Sequence, residues 1–473
     1  MSPDKHSLPH VVVVGGGVAG LATAFLIREL GREAGRDCRV TVLEAQDRAG
    51  GSTRTDTIDG FLCEWGPNGF LDNEPATLEL VKRLGLTERL VPANETAALR
   101  YIYHSGKLHE VPVKPPAFLA SDILPLSAKL RMALEILIPA RRNGREETVH
   151  DFGVRRLGIR FADYLLDPMV SGIFAGNTRE LSLPAVFPKM VEMERDYGGL
   201  FRALIKKQRE AKRNGTVSGG PSGAHAILQT FRNGMGELTD TLTVQLGDAI
   251  CVQSPVEAIA RRDNAWRVQS NIVIENPDAV VVACPSYAAA KMIESLSPTA
   301  TQSLNEIPYA PVDVVCHGYA VQDIDHSLRG FGVLIPRSEG IRSLGSLWCN
   351  SIFPGQAPEG MHLLRTLMGG AHDPQIVELS ENELNRIADQ DHNRLFRVHN
   401  SPRFRRIIRH ARGIAQYTIG HIERVAAAEQ LEREVPGLFF TGASYRGVSI
   451  NGCAKDAFRV AREFWKQQGI AVV

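Results

Sequence analysis

The sequence predicts an α/β protein in three parts: a discontinuous domain built on a parallel sheet, a mixed-sheet domain, and an inserted helical domain. Three observations predict it. Four valines at 11–14 open onto Gly15-x-Gly17-x-x-Gly20 and a helix-forming run. Period-two alternation appears near residue 100 and again over 312–370. Between them, 114–210 is helix-rich and punctuated by Pro115, Pro116, Pro125 and Pro139. At 473 residues, 44% hydrophobic and 23% charged, the chain has globular composition and length for two or three domains.

Each element follows in order. The valines at 11–14 read as a strand buried on both faces, because a strand covered by helices needs no polar alternation. The next helix carries Leu21, Phe25 and Leu26, and Gly31 is expected to end it. After polar residues 32–37, Arg39-Val-Thr-Val-Leu43 completes a βαβ unit with parallel strands. Residues 98–113 form a hairpin about Ser105-Gly106. Lys206, Lys207, Arg209, Lys212 and Arg213, then the Gly/Ser-rich 214–223, read as a solvated helix end and a linker. Strands are expected over 249–256, 266–274, 279–283, 331–335, 363–368 and 438–442. A closing helix presents Ala457, Val460, Ala461 and Phe464 at helical spacing. The expected divisions are 1–99, 216–300 and 415–473 for the first domain, 100–120 and 301–414 for the mixed-sheet domain, and 121–215 for the helical domain.

Composition excludes several classes. Fifty-four basic against fifty-three acidic residues lack the basic excess of a nucleic-acid protein. Seven cysteines without a CxxC pair imply neither a zinc ribbon nor a disulfide framework, and fit a reducing compartment. Fourteen histidines without HExxH spacing give no metal expectation. The amino terminus lacks the apolar core of a secretory signal. No run of about eighteen apolar residues crosses a membrane. Leu126, Leu130, Ala133, Leu134 and Leu137, with Lys129, Arg131, Arg141 and Arg142 beside them, are compatible with a helix lying on a membrane surface or packed on its neighbours.

The chemistry sits in glycine turns. Residues 15–20 (Gly15, Gly16, Gly17, Val18, Ala19, Gly20) let backbone approach a pyrophosphate at a helix N-terminus. Glu44, followed by Ala45, ends the second strand where a carboxylate can bind ribose hydroxyls. Arg48 and then Gly50, Gly51 and Ser52 come next, where a nicotinamide dehydrogenase would run on into helix; a second glycine pair suits a longer dinucleotide. Gly66-Pro67-Asn68-Gly69 is another turn, with room for a bulky planar ligand. Gly442 and Ala443 lead through Val448, Ser449 and Ile450 into the closing helix. Its N-terminus can stabilise negative charge on a reduced flavin.

In this order the motifs resemble the flavin amine-oxidase superfamily, and within it the oxygen-dependent protoporphyrinogen/coproporphyrinogen oxidases of haem synthesis. The closer resemblance rests on Ala98-Leu-Arg-Tyr-Ile-Tyr103, Ile173-Phe-Ala-Gly-Asn-Thr-Arg-Glu-Leu-Ser182, Gly330-Phe-Gly-Val-Leu-Ile-Pro336, Met368-Gly-Gly370, Gln416-Tyr-Thr-Ile-Gly-His421 and Gly442-Ala-Ser-Tyr-Arg-Gly-Val448. Two departures stand out: Ala415-Gln416-Tyr417 for the usual Pro-Gln-Tyr, and Asn451-Gly452-Cys453 for Asn-Asp-Cys.

The resemblance implies a Rossmann-like FAD-binding domain with noncovalent FAD, and Val256 joins the cofactor-binding residues named above. It implies an apolar macrocycle site lined by Arg100, Gly172, Phe331, Gly332, Leu334 and Met368, with Arg100 holding a propionate. Read without it, Leu334 and Met368 are core residues. No catalytic acid or base is assigned, since flavin N5 accepts the hydride. The implied reaction turns protoporphyrinogen IX into protoporphyrin IX with O₂ and peroxide, coproporphyrinogen III being the alternative substrate. Amine oxidation and carotenoid-type desaturation are more distant readings. Lys107, Lys114, Arg179 and Arg446 are candidate rim cations. A cytoplasmic location, peripheral contact with the inner face of the membrane, a homodimer and product transfer to a downstream haem-synthesis enzyme complete the expectations.

Overall fold

The computed structural model describes residues 8–112, 115–141, 144–213, 226–263 and 265–472. Lys114, Arg142 and the 214–223 linker therefore lie outside the described residues.

Five parallel strands form the first sheet, in the order Ile250–Cys251, Arg39–Leu43, His10–Val14, Ala279–Val282, Leu438–Phe440. Val11, Val12 and Val13 are completely buried because both faces are covered. On one face Val11 and Val13 pack with helices Val18–Glu33, Gly236–Leu246 and Ile450–Gln467. On the other, Val12 and Val14 meet helices Ser286–Met292, Pro298–Asn305 and His421–Glu434. Ala457, Val460, Ala461 and Phe464 are buried in the first of these layers, as their spacing predicts.

Three element boundaries differ from the sequence reading. Gly31 lies inside helix Val18–Glu33 rather than ending it. A side chain there would collide with the Trp465 ring, whose indole donates to Ile27 O at 2.8 Å, so this glycine serves helix–helix contact. The strand expected over 249–256 stops at Cys251: Gln253 takes φ +50°, and Gln253 and Ser254 donate to Gln46 O and Glu44 O. The stretch 266–274 splits into antiparallel strands Ala265–Gln269 and Val273–Glu275, because the Ser270 hydroxyl turns back onto Ile272.

The second sheet has seven strands, in the order Phe404–Ala415, Tyr309–Ala320, Met361–Gly369, Ser343–Trp348, Gly332–Leu334, Tyr101–His104, Lys107–Glu110. Pairing is antiparallel except between Gly332–Leu334 and Tyr101–His104. The expected hairpin turns at Ser105 and Gly106, with φ of +51° and +78°, a sign that matches the twist of the flanking strands. Helix Glu381–Phe396 covers one face through Leu384 and Ala388. The helical part approaches the other. There Gly172, on helix Asp167–Phe174, faces Leu334, and Ile102 packs with Ile123, Leu124 and Ala128. Arg337 grips Asp167 through Nε and Nη2 at 3.0–3.1 Å and latches the two together.

Beside its apolar core of Val149, Phe152, Val170 and Leu181, the helical part buries a cluster of charges. Arg156 and Glu135, both fully buried, pair with each other, and Arg155 bridges Glu147 and Glu194. Helix Leu126–Ala133 and the turn Leu134–Leu137 leave Leu126, Leu130, Leu134 and Leu137 52–71% exposed. Of the described cations expected beside that stripe, Lys129 and Arg131 turn inward. Lys129 is buried on the carbonyls of Leu119 and Ser121, Arg131 on those of residues 154–156, and Arg141 pairs with Glu147. Among the described residues no helix is long and apolar enough to cross a membrane.

Candidate functional site

The C-terminal edge of the parallel sheet gathers four glycine-bearing or acidic turns from distant parts of the chain. Gly15 follows the first strand with φ +108°, and a Cβ there would lie 3.0 Å from the backbone of Ala283 and Cys284. Gly442, with φ +113°, packs beside Ala283 and Ala19. The 50–51 turn joins from the side, as Gly50 N–H donates to Gly16 O at 2.7 Å. Glu44, 9% exposed, accepts from Gly16 N–H at 2.6 Å and Gln46 N–H at 2.8 Å. The loop holding Val256 closes the same edge through Ser254 N–H on Glu44 O. Ligands of open α/β sheets bind in this crevice.

The cradle has the chemistry of a dinucleotide site. Helix Val18–Glu33 starts at Gly17 with no side-chain cap, leaving its first N–H groups to an anion. A Cβ on Gly17 would meet nothing within 4 Å among the described residues, so space stands where a pyrophosphate would press against the backbone. Asn68, between Gly66 and Gly69, has both amide atoms buried without a partner, and Thr441 Oγ1 is likewise unsatisfied. A buried amide in that state costs roughly 1–3 kcal/mol unless a ligand satisfies it. The residues present fit FAD: the Gly17 helix start could hold the pyrophosphate, Glu44 a ribose, and the Asn68 amide is a buried donor and acceptor still to be satisfied. Arg48 borders the cradle, its guanidinium 3.2 Å from the Cβ position of Gly50. Cys453 is buried, with its thiol pushed up to about 12 by burial first and by Asp456 second. Such a thiol is a poor nucleophile for a covalent flavin link.

At the other end of the cradle the Gly447 turn, φ +134°, packs against Gly452, where a Cβ would be 3.0 Å from Gly447 O. The glycine that replaces the usual aspartate therefore lets this turn close on the helix. Ser449 caps helix Ile450–Gln467 by accepting from Gly452 N–H at 3.1 Å, and Asn451 is held by Thr77 and Leu71 O.

The apolar face of the second sheet lies next door. Leu334, Gly345 and Leu367 are directly opposite one another across three strands and share a face, as do Ile102 and Leu334. Gly172 suits this packing, since a Cβ there would sit 2.6 Å from Leu334 Cδ2 and the leucine would have to shift. Gly332 has φ +147° and lies against Ser346 O. Met368 does not join them. One residue beyond Leu367, it points to the opposite face and packs at zero exposure with Val315, Ile376 and Leu384. Met368, named above as a lining residue, is therefore packed in the core on the face opposite Leu334, and Leu367 shares the face of Leu334.

Arg100 precedes the hairpin strand, exposed, its guanidinium 5.3 Å from the Phe331 ring centroid. No carboxylate among the described residues pairs with it. Of the other cations suggested for the rim, Lys114 lies outside the described residues. Arg446 binds Glu429, Glu432 and Asp456 at 3.1–3.5 Å, Arg179 binds Asp163, and Lys107 sits at the hairpin turn.

Arg365 connects the two sites, and sequence reasoning missed it. Two residues from Leu367 on the same face, its buried guanidinium donates to Glu64 O at 3.0 Å and Gly66 O at 2.6 Å. It thereby fixes the strand leading into Asn68. An isolated arginine in a strand carries no local signal of such a contact, which joins residues about three hundred positions apart.

Comparison with known proteins agrees with this geometry. Residues 18–464 match the family of flavin containing amine oxidoreductases. The chain is 30% identical over 455 residues to a coproporphyrinogen III oxidase of Bacillus subtilis, covering 94% of this chain and 95% of that protein. It is 31% identical to the chloroplastic protoporphyrinogen oxidase 1 of Spinacia oleracea, covering 96% and 83%. A crystal structure from Exiguobacterium sp. 255-15 superposes with TM-score 0.82 at 24% identity, covering 98% of this chain and 99% of that one. With a glycine-turn cradle at the sheet edge and a family match running through nearly all of it, the chain belongs to the flavin containing amine oxidoreductases.

Proposed function

We propose that this protein oxidises a porphyrinogen to a porphyrin, with noncovalent FAD as the redox cofactor. The observation that carries the reading is the apolar face of Leu334, Ile102, Leu367 and Gly172, joined through Arg365 to the Asn68 turn of the cradle. A flat, largely apolar macrocycle with carboxylate arms suits that face. The relatives' names point to the same substrate class. FAD, when bound, supplies a two-electron hydride acceptor. The chain's part is orientation and exclusion of water: Arg100 holds a propionate, and Leu334, Phe331 and Gly332 shape the surface on which the macrocycle lies. A porphyrinogen loses six hydrogens in becoming a porphyrin. Three two-electron rounds are needed, so one porphyrinogen and three O₂ yield one porphyrin and three H₂O₂.

Protoporphyrinogen IX, with two propionates, is the preferred substrate in this reading, because Arg100, exposed against Phe331, has no carboxylate partner among the described residues. Coproporphyrinogen III, with four, is the second reading, favoured by the Bacillus relative. The deciding measurement is kcat/KM for both porphyrinogens at one oxygen concentration, followed by porphyrin fluorescence. Higher kcat/KM with coproporphyrinogen III reverses the preference, and no fluorescence with either ends the proposal.

Peripheral membrane contact is part of the same proposal, supported by the four exposed leucines at 126–137. With Lys129 and Arg131 turned inward, attachment is hydrophobic, so flotation with neutral liposomes should persist at high salt. Protein remaining at the bottom of the gradient removes the membrane from the reading.

A further inference from the structure

The segment 415–421 touches all three parts of the molecule. Gln416 N–H donates to Pro308 O at 2.8 Å, where the chain enters the second sheet. Its side-chain amide donates to Phe174 O at 2.9 Å and Ile414 O at 3.0 Å, and its Oε1 lies 2.7 Å from the Cβ position of Gly176. Phe174 is the last residue of helix Asp167–Phe174, which carries Gly172 onto Leu334. Gln416 therefore finishes the helix that walls the apolar face.

Tyr417 reaches the opposite way. Its carbonyl accepts from Ser182 N–H of the helical part at 2.8 Å. Its hydroxyl donates to Ala443 O at 2.8 Å and accepts from Gly447 N–H at 2.9 Å. One phenol thus ties both ends of the turn that follows Gly442 and precedes the Ser449 cap. His421 stacks on it, centroids 3.8 Å apart and planes 14° off parallel, and both rings are at most 3% exposed. Burial pushes the phenol pKa up, so the proton given to Ala443 O is held at every working pH.

We propose that Gln416 and Tyr417 are positioning residues for the reaction: Gln416 fixes the helix over the substrate face, and Tyr417 fixes the 443–447 turn that continues from Gly442 at the edge of the cradle that would hold FAD. The inference rests on the porphyrinogen-oxidase reading. Its physical basis is that a turn bordering a cofactor cradle would act on the bound group through its backbone dipoles only while its geometry is held. The two residues, neighbours in sequence, should separate in kinetics.

The test uses Tyr417→Phe and Gln416→Met in the FAD-loaded protein, with protoporphyrinogen IX as substrate. Tyr417→Phe is expected to shift the visible flavin spectrum and the FAD midpoint potential, and to lower kcat roughly tenfold with KM held, the loss of two buried hydrogen bonds. Gln416→Met is expected to raise KM several-fold and leave the spectrum unchanged. A structural role alone would lower the melting temperature of both without that split. An unchanged spectrum, potential and kcat in Tyr417→Phe overturns the assignment of Tyr417; an unchanged KM in Gln416→Met overturns that of Gln416. Where Tyr417→Phe does not fold, 3-fluorotyrosine at 417 keeps the ring and weakens acceptance from Gly447, and an unchanged flavin spectrum there is equally fatal. Spectrum and potential need no porphyrinogen, so failure of the substrate reading leaves the Tyr417 arm intact.

Discussion

The two halves of the site are built by opposite means. The cradle at the edge of the parallel sheet is made of backbone: a helix start without a side-chain cap, glycines at 15, 17, 50 and 442, and one carboxylate, Glu44. The neighbouring apolar face is made of side chains, Leu334, Ile102 and Leu367, contributed by strands that meet only in the folded sheet. A dinucleotide's pyrophosphate needs many N–H donors at close range, and glycine is the residue that allows such an approach. A macrocycle needs area, which any apolar side chain of the right size supplies. The first requirement leaves a spaced motif in the chain; the second leaves ordinary core residues.

Substitutions can break this comparison. The largest effect is expected from Gly17→Ala. Its φ of −73° suits alanine and its methyl enters open space, so apoprotein stability should move by no more than about 0.5 kcal/mol. FAD affinity should nevertheless fall roughly a hundredfold, about 2.7 kcal/mol, because the methyl takes the pyrophosphate's place. Fluorescence titration of the apoprotein with FAD measures this, and wild-type affinity would remove the cradle from Gly17.

Arg100→Ala probes the other half. A propionate anchor away from the reacting carbon contributes equally to ground and transition states, so KM should rise about tenfold to a hundredfold with kcat nearly constant. A KM equal to wild type takes Arg100 out of the site.

Acid should sharpen the contrast through stability. Beneath helix Glu381–Phe396 runs a buried chain: Asn385 to His317 at 2.8 Å, then Tyr319, then His392 at 3.0 Å, then Thr366 at 2.7 Å. Burial lowers the pKa of both imidazoles, helped at His392 by His317. His421 falls from 6.5 to about 4, again from burial. These groups are neutral in the folded protein and protonate more readily unfolded, so their stability contribution is complete above pH 6.5 and is lost as pH falls below it. His421 alone accounts for about 3 kcal/mol by pH 4. Hydrogen exchange at pH 5 should show Glu381–Phe396 opening before Val18–Glu33, and equal protection of the two helices at pH 8 and pH 5 contradicts this.

The smallest effect is expected at Cys453. Acid precipitation should release all flavin to the supernatant from wild type and Cys453→Ser alike, and pellet-bound flavin in wild type would restore a covalent link.

Much of the cradle was legible in the chain because its parts are local. The valine strand, the glycine turn and Glu44 lie within thirty-five residues, and their spacing expresses strand, turn and helix geometry directly. The closing helix was equally readable from Ala457, Val460, Ala461 and Phe464. Gly31 misled because a glycine can serve close packing as well as helix termination, and the Trp465 ring that decides between them is over four hundred positions away. Met368 was not readable for a related reason: neighbours in sequence lie on opposite faces of a strand, and whether 367 or 368 shares the face of Leu334 depends on register with Gly345.

The sequence by itself determined the α/β class, the nucleotide cradle and the family resemblance, since backbone conformation and helix ends are written in residues three or four apart. The tertiary structure alone decided that Arg365 ties Gly66 to the apolar face and that Tyr417 ties Ala443 to Gly447. It alone decided, too, that Lys129 and Arg131 turn away from the exposed leucines. Those choices depend on which distant carbonyl a buried donor must satisfy, and burial is a property of the packed chain.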